Sequence, residues 1–388
     1  MITFFAILFG LAILTFLVVI HELGHALVAR RNGVRVEEFG IGFPPRAKAW
    51  KKPQSFLGKN VEFSLNWLPL GGFVKLQGEH DEDGGKKGDF GHASFWAKTK
   101  IMFAGVAVNW LAAIVLLTVL SVFGVPKLID GQFTVASDTR TTAETPVLNF
   151  VESDSPAAKA GLKSGDTLKS VAGEPLTSAA QLSTLTERNK GKTIELTYVR
   201  DDNETTTSTT LRADNKDNKG YLGASAYQRE WYRATWSAPV VGVGLTAQLS
   251  WLTLQGIGDM AGNFFGGLVE KLSTDKSVQQ KADEKIAAAG QNVAGPVGLI
   301  GVILPGLIKA GPQYVVLITA VISLSLAVLN SLPIPGLDGG RWALIAWYRA
   351  LKRPLTKERE EQIVSYGMLF LMGIFVLITV ADVGKFFG

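Results

Sequence analysis

The chain of 388 residues contains no cysteine. That excludes a disulfide framework and any metal site built on thiolates. Histidine is scarce as well: His21, His25, His80 and His92 are all there are. A metal ion here must be held by some of these four with Asp, Glu or water. Charged residues make up 19% of the chain, and the net charge is only +5. No basic block interleaved with aromatics occurs, so no nucleic-acid partner is expected. What the chain has in quantity is apolar sequence, 47% of all residues, gathered in runs long enough to cross a bilayer. The expected fold class is a multi-span α-helical membrane protein with four transmembrane helices. It carries an inserted α+β domain and a membrane-associated β-hairpin.

The first apolar run, Ile2 to Ile20, leads straight into His21-Glu22-Leu23-Gly24-His25. On a helix, residues four apart share a face, so the two imidazoles can reach one ion. Glu22 lies beside them, placed as the general base for a hydrolytic water; this is the logic of H-E-x-x-H. A carboxylate and two imidazoles in an apolar helix are costly unless paired or coordinated. Coordination therefore explains the cluster better than solvation at the membrane surface. The run has no basic start and no small-residue cleavage site, and is read as a retained first span, 1–29.

Residues 30–100 hold thirteen Lys and Arg against eight Asp and Glu, and 341–359 hold six against one. Both segments read as cytoplasmic, which puts the two chain ends outside. Within the first segment, about 61–77, Val61, Phe63 and Leu65 alternate with polar neighbours. Pro69, Gly71 and Gly72 suggest a turn, and Phe73 to Leu76 a second strand. Such a hairpin is either an ordinary packed element or an open edge offered to an extended substrate. The charged, Gly-rich stretch Glu79 to Asp89 reads as a flexible loop, with His80 and His92 as solvated histidines. A second span covers 101–125; Gly105 and Asn109 share one of its faces and suit a close helix crossing. Residues 131–226 read as a soluble domain. From Lys127 to Lys309 the charge is nearly balanced, nineteen basic against twenty acidic, in keeping with the outer side. Residues 227–312 are expected to form an interfacial linker rather than a span, because Gly, Thr, Gln and Ser interrupt the apolar run. The last span covers 363–384, after a cytoplasmic loop at 341–362.

The third span, in 313–340, ends in Asn330-Ser331-Leu332-Pro333-Ile334-Pro335-Gly336-Leu337-Asp338-Gly339-Gly340. Two prolines one residue apart break a helix. Asp338 then sits beside irregular backbone, which membranes tolerate only when it is buried in protein or lines a cavity. It suits a cap for a helix starting near Arg341. It equally suits the third ligand that two histidines lack.

Taken together, these residues resemble the site-2 protease family of intramembrane zinc metalloproteases, in particular bacterial members with a single PDZ domain. HELGH resembles the zinc-binding helix, NSLPIPGLDGG the second signature, and Ala104 to Asn109 the span-two motif. Val106 stands there where many members have proline, and Ser331 replaces a usual apolar residue. Ser155 to Asp166 resembles the start of a PDZ domain, PLGGFVKL the membrane-associated hairpin, and Gly295-Pro296-Val297-Gly298 a motif before span three.

The resemblance implies Zn2+ on His21, His25 and Asp338, with Glu22 as general acid and base. It implies substrate contacts at Asn330, with Asn109 in support, and at Gly72, Phe73 and Val74 of the hairpin. Single-span membrane proteins of the anti-sigma-factor or remnant-signal-peptide type would be the substrates, and a bacterial inner membrane the location. The PDZ-like domain would either bind a peptide end or screen substrate ectodomains by size. Two other classes are compatible with the chain. A PDZ-bearing scaffold with structural zinc predicts that Glu22→Gln is harmless. A metal transporter predicts a path of polar residues along several spans, and few are present.

Overall fold

The computed structural model describes all residues except 1, 82–85, 216–218, 292–294, 296–297 and 388. Pro296 and Val297 of the Gly-Pro-Val-Gly motif, and 82–85 of the charged loop, lie outside the described residues. The chain forms two compact units: Met1–Leu120 with Pro239–Gly388, and Ser121–Ala238.

The first unit is built on long apolar helices. These are α1 (Ile2–Arg31), α2 (Phe95–Phe123), α5 (Ala238–Glu270), α8 (Pro312–Ser331) and α10 (Lys357–Phe387). All five are long and apolar enough to cross a membrane. The expected count of four leaves out α5, which is one continuous helix of 33 residues, about 50 Å long. Its Ser and Thr residues lower its apolarity. They are absorbed by the helix itself: Thr246 Oγ1 donates to the Gly242 carbonyl at 2.8 Å, and Ser250 Oγ to that of Thr246 at 2.6 Å. Trp110 of α2 in turn donates to Ser250 Oγ at 3.0 Å. A polar α6 (Lys276–Gln291) follows, then a π-turn over Leu299–Ile303 that runs into the short α7 (Leu304–Ala310).

Between α1 and α2 lie β1 (Val36–Ser55) and β2 (Gly58–Leu76), antiparallel and joined at Phe56 and Leu57. The hairpin is therefore larger than expected, and its turn is not at Pro69 to Gly72. Those residues bend one continuous strand, with Gly71 at φ +95°. The bend arises because β2 pairs twice with the first half of β1: Phe39 faces both Phe63 and Val74, and Ile41 both Leu65 and Gly72. The ribbon thus curls on itself. Its inner face, Val36, Phe39, Leu57, Val61 and Leu76, packs with Ala26 and Ala29 of α1 into one core. The far half of β1 is exposed from Phe43 to Gln54.

The second unit holds a sheet in the order β10 (Ala224–Tyr227), β5 (Val147–Val151), β6 (Thr167–Val171), β8 (Thr193–Arg200), β9 (Asn203–Thr210), with β7 (Glu174–Pro175) on β6. The helices α3 (Pro156–Lys159) and α4 (Ala179–Arg188) cover a core of Leu148, Leu168, Leu182, Leu196 and their neighbours. Ser155 caps α3 through the Ala158 amide. A smaller sheet pairs β11 (Glu230–Arg233) with β3 (Val125–Pro126) and β4 (Arg140–Ala143).

Candidate metal centre

His21 and His25 stand one turn apart on α1, and both are buried. Their Nε2 atoms are 3.1 Å apart. Asp338 is the first residue of α9 (Asp338–Ala350), which restarts the chain after the Pro333–Pro335 break. Its side chain does not cap that helix. Its Oδ2 lies instead 3.0 Å from His21 Nε2 and 3.2 Å from His25 Nε2. Donors bound tetrahedrally to zinc at roughly 2.0–2.2 Å would be about 3.3–3.5 Å apart. The three atoms thus form a triangle that opens by a few tenths of an ångström to take the ion.

The surroundings of the rings fit the same ion. His25 Nδ1–H donates to the Ile101 carbonyl at 2.7 Å, leaving Nε2 as a lone pair turned into the triangle. His21 Nδ1 is 3.3 Å from the side-chain amide of Asn109 on α2, and the amide oxygen is buried without a partner. Exchanging the amide oxygen and nitrogen lets Asn109 accept from His21 Nδ1–H, so that both rings present Nε2 lone pairs. Two imidazole lone pairs and a carboxylate then face one point, an arrangement that calls for a cation. Gly105 supplies the room. A Cβ there would lie 2.5 Å from His25 Nε2 and 2.6 Å from His21 Nε2. Gly24 allows the approach of the helices, since its Cβ would meet the Ala104 carbonyl at 2.8 Å.

Glu22 is half-buried. Gly72 borders the same place: a Cβ on it would lie 3.5 Å from Val19 and 3.8 Å from Glu22. Phe73 pairs with Gly40 and lies across it. Among the described residues no strand other than β1 pairs with the 72–76 segment.

Asn109, 1% exposed, has its side-chain amide against His21 Nδ1. Asn330 bonds the Leu326 carbonyl of its own helix at 3.0 Å. His80 is not solvated; only 17% of its side chain is exposed, and its Nε2 lies 3.4 Å from Glu361. His92 is exposed. Neither the Ile101 carbonyl nor the space left by Gly105 is predicted from the sequence. Of these only Gly105, one turn before Asn109, left a signal, and helix crossing explained it equally well.

A carboxylate, Glu22, beside two buried histidines and a partly buried aspartate, on helices fit for a bilayer, defines a candidate membrane metallohydrolase. Residues 9–374 match the model of peptidase family M50, the site-2 proteases; the chain belongs to that family and is a zinc metalloprotease. A protein of Clostridium perfringens named as a zinc metalloprotease is 29% identical over 97% of this chain and 98% of its own length. One of Rhizobium meliloti, similarly named, is 28% identical over 97% and 96%. The regulator of sigma-W protease RasP of Bacillus subtilis is 24% identical over 99% and 98%. The PDZ domain of an SdrC-like protein of Listeria monocytogenes covers 21% of this chain at 23% identity; its TM-score of 0.20 is too low to assign a fold to the second unit.

Proposed function

We propose that this protein hydrolyses peptide bonds within or near the transmembrane segments of single-span membrane proteins, as a step in regulated intramembrane proteolysis. The observation that carries the proposal is the triangle of His21 Nε2, His25 Nε2 and Asp338 Oδ2, 3.0–3.2 Å on a side, beside Glu22. These three residues hold the zinc. When bound, the ion supplies a Lewis acid for the scissile carbonyl and acidifies a water. Glu22 would take a proton from the attacking water and deliver one to the leaving amine.

A transmembrane substrate has its peptide groups already paired within its own helix and must unwind to be cut. The open side of the 72–76 segment offsets that loss by pairing with the unwound strand at Gly72, Phe73 and Val74. Asn330, whose side-chain nitrogen bonds the Leu326 carbonyl, offers its amide oxygen as a further substrate contact. The excess of Lys and Arg in 30–100 and 341–359 supports a metal centre towards the cytoplasmic face and a second unit outside, with α5 lying at the interface rather than crossing the bilayer. We read that unit as PDZ-like, screening substrates by the size or the free end of their outer portion. Anti-sigma factors and remnant signal peptides are the substrate types this arrangement suits, in a bacterial inner membrane.

The test is to incubate purified protein with a single-span substrate in lipid, with and without a zinc chelator. Cleavage that stops with chelator, returns with zinc, and is absent in Glu22→Gln of normal zinc content supports the proposal. Cleavage by Glu22→Gln at the normal rate refutes it.

A further inference from the structure

Asp338 closes the metal triangle, yet little in its own segment holds it. The residues before it are irregular, Gly336 stands at φ +101°, and α9 begins without a side-chain cap. The nearest directional anchor is one turn on, at Arg341. Its Nε donates to Glu360 Oε1 at 2.8 Å, and its Nη2 donates to the Glu79 carbonyl. Glu360, in the first turn of α10, is 2% exposed. Its second oxygen accepts from the Asp81 backbone N–H at 3.0 Å. Asp81 in turn accepts from Lys98 of α2, whose Nζ also donates to the Gly91 carbonyl at 2.8 Å. The guanidinium of Arg341 and the ammonium of Lys98 both face the buried ring of Phe90, at 5.2 and 5.6 Å. His80 reaches Glu361 at the rim.

One polar knot thus ties the first turns of α2, α9 and α10 to the loop that leaves β2. Apolar contacts alone would hold three helix ends together without burying a carboxylate, and a buried charge pair is a weak way to gain stability. What it adds is direction. A bidentate guanidinium between a carboxylate and a carbonyl fixes the rotation and height of α9, which a greasy contact leaves free. The same knot seizes residues 79–81, three to five positions beyond the end of β2, and so holds the 72–76 segment beside Glu22.

We infer that Arg341 and Glu360 are positioning residues: their ion pair sets Asp338 at coordination distance from the two histidines. The inference rests on the reading of His21, His25 and Asp338 as zinc ligands. It separates the pair's role from bracing, because replacing both partners by apolar residues of similar size removes direction while avoiding an unpaired buried charge.

The experiment compares Arg341→Met, Glu360→Gln and the double variant Arg341→Met/Glu360→Leu with the intact full-length chain in detergent. Zinc affinity is read by competition with a chromophoric chelator and melting temperature in parallel. The expected result is a loss of zinc affinity of about 10- to 100-fold in the single variants. The double variant recovers most of the melting temperature but not the affinity. A double variant that binds zinc as tightly as the parent overturns the inference and leaves the knot a brace. It also keeps the question answerable if Arg341→Met fails to fold. Asp338→Asn is run alongside. If it loses zinc while the double variant keeps it, only this inference fails; if Asp338→Asn keeps full affinity, the ligand reading falls and this inference with it.

Discussion

Gly105 makes the sharpest demand on the metal centre. A methyl group there would sit 2.5–2.6 Å from His25 Nε2 and from His21 Cε1 and Nε2. Ordinary carbon–nitrogen contact begins near 3.4 Å, so the rings or α2 must retreat by about 0.8 Å. A zinc–nitrogen bond is only about 2.0 Å long, and a displacement of that size removes a ligand from coordination. Elsewhere in a helix interior, Gly→Ala is favourable by roughly 0.5–1 kcal/mol. At Gly105 that gain is set against an overpacking cost of about 1–3 kcal/mol. The net expectation for Gly105→Ala is a fold that is equal or slightly weaker, with zinc binding largely lost. Gly256 on α5 provides the control, since nothing lies within 4 Å of a Cβ there. Gly256→Ala is expected to bind zinc normally and to melt no lower than the parent. Zinc content after equilibration against a chelator series, with melting curves on the same samples, decides the matter. Gly105→Ala with parental zinc affinity would refute the geometry proposed for the site.

Other consequences are within reach of the same assays. Asn109→Ala should lower zinc affinity about 10- to 100-fold, because His21 loses the partner that fixes its tautomer; Asn109→Asp, which still offers an oxygen, should retain most of it, and the two titrations side by side tell. In the second unit, hydrogen bonds from Ser237 and Thr235 hold the Asp138 carboxyl well below the usual carboxylate range. A group depressed on folding stabilises above its unfolded pKa of about 3.9 and loses that contribution as pH falls towards its folded value. Melting temperatures of the parent and Asp138→Asn should therefore differ at pH 7 and converge on acidification, whereas a constant difference would mean the ionised carboxyl is not what matters.

The convergence of His21 and His25 is legible because H-E-x-x-H fixes a spacing that a helix converts directly into geometry. The proline-broken LDG segment then supplied a buried acid in need of a partner. The α5 helix is legible as an interfacial helix but not in its full length, because its hydroxyls and glycines lower apolarity whether they face water or bond back to their own helix. The hairpin was found but mis-drawn. Alternation at Val61–Leu65 and again at Phe73–Leu76 looks like two strands and a turn, and nothing local shows that both segments pair with the same stretch of β1. His80 was misjudged because its neighbours Glu360 and Glu361 are far away in sequence.

The same division explains how the site is built. His21 and His25 ride on one helix, where four residues of spacing guarantee their separation, so their placement costs little beyond the helix itself. Asp338 comes from 313 residues further along the chain than His25, on a helix that starts afresh after two prolines. Nothing local relates it to α1. Gly339 and Gly340 allow α9 to press against the backbone of Ser331 and Ile334, which limits where its first turn can lie. That close approach fixes distance but leaves rotation about the helix axis free. Rotation must be set by groups with preferred directions, and among the described residues the first such group on α9 is Arg341, held by Glu360. A ligand from a distant segment therefore requires an additional charged tie outside the site, and substitutions in that tie should be read first in metal affinity and only second in the melting temperature.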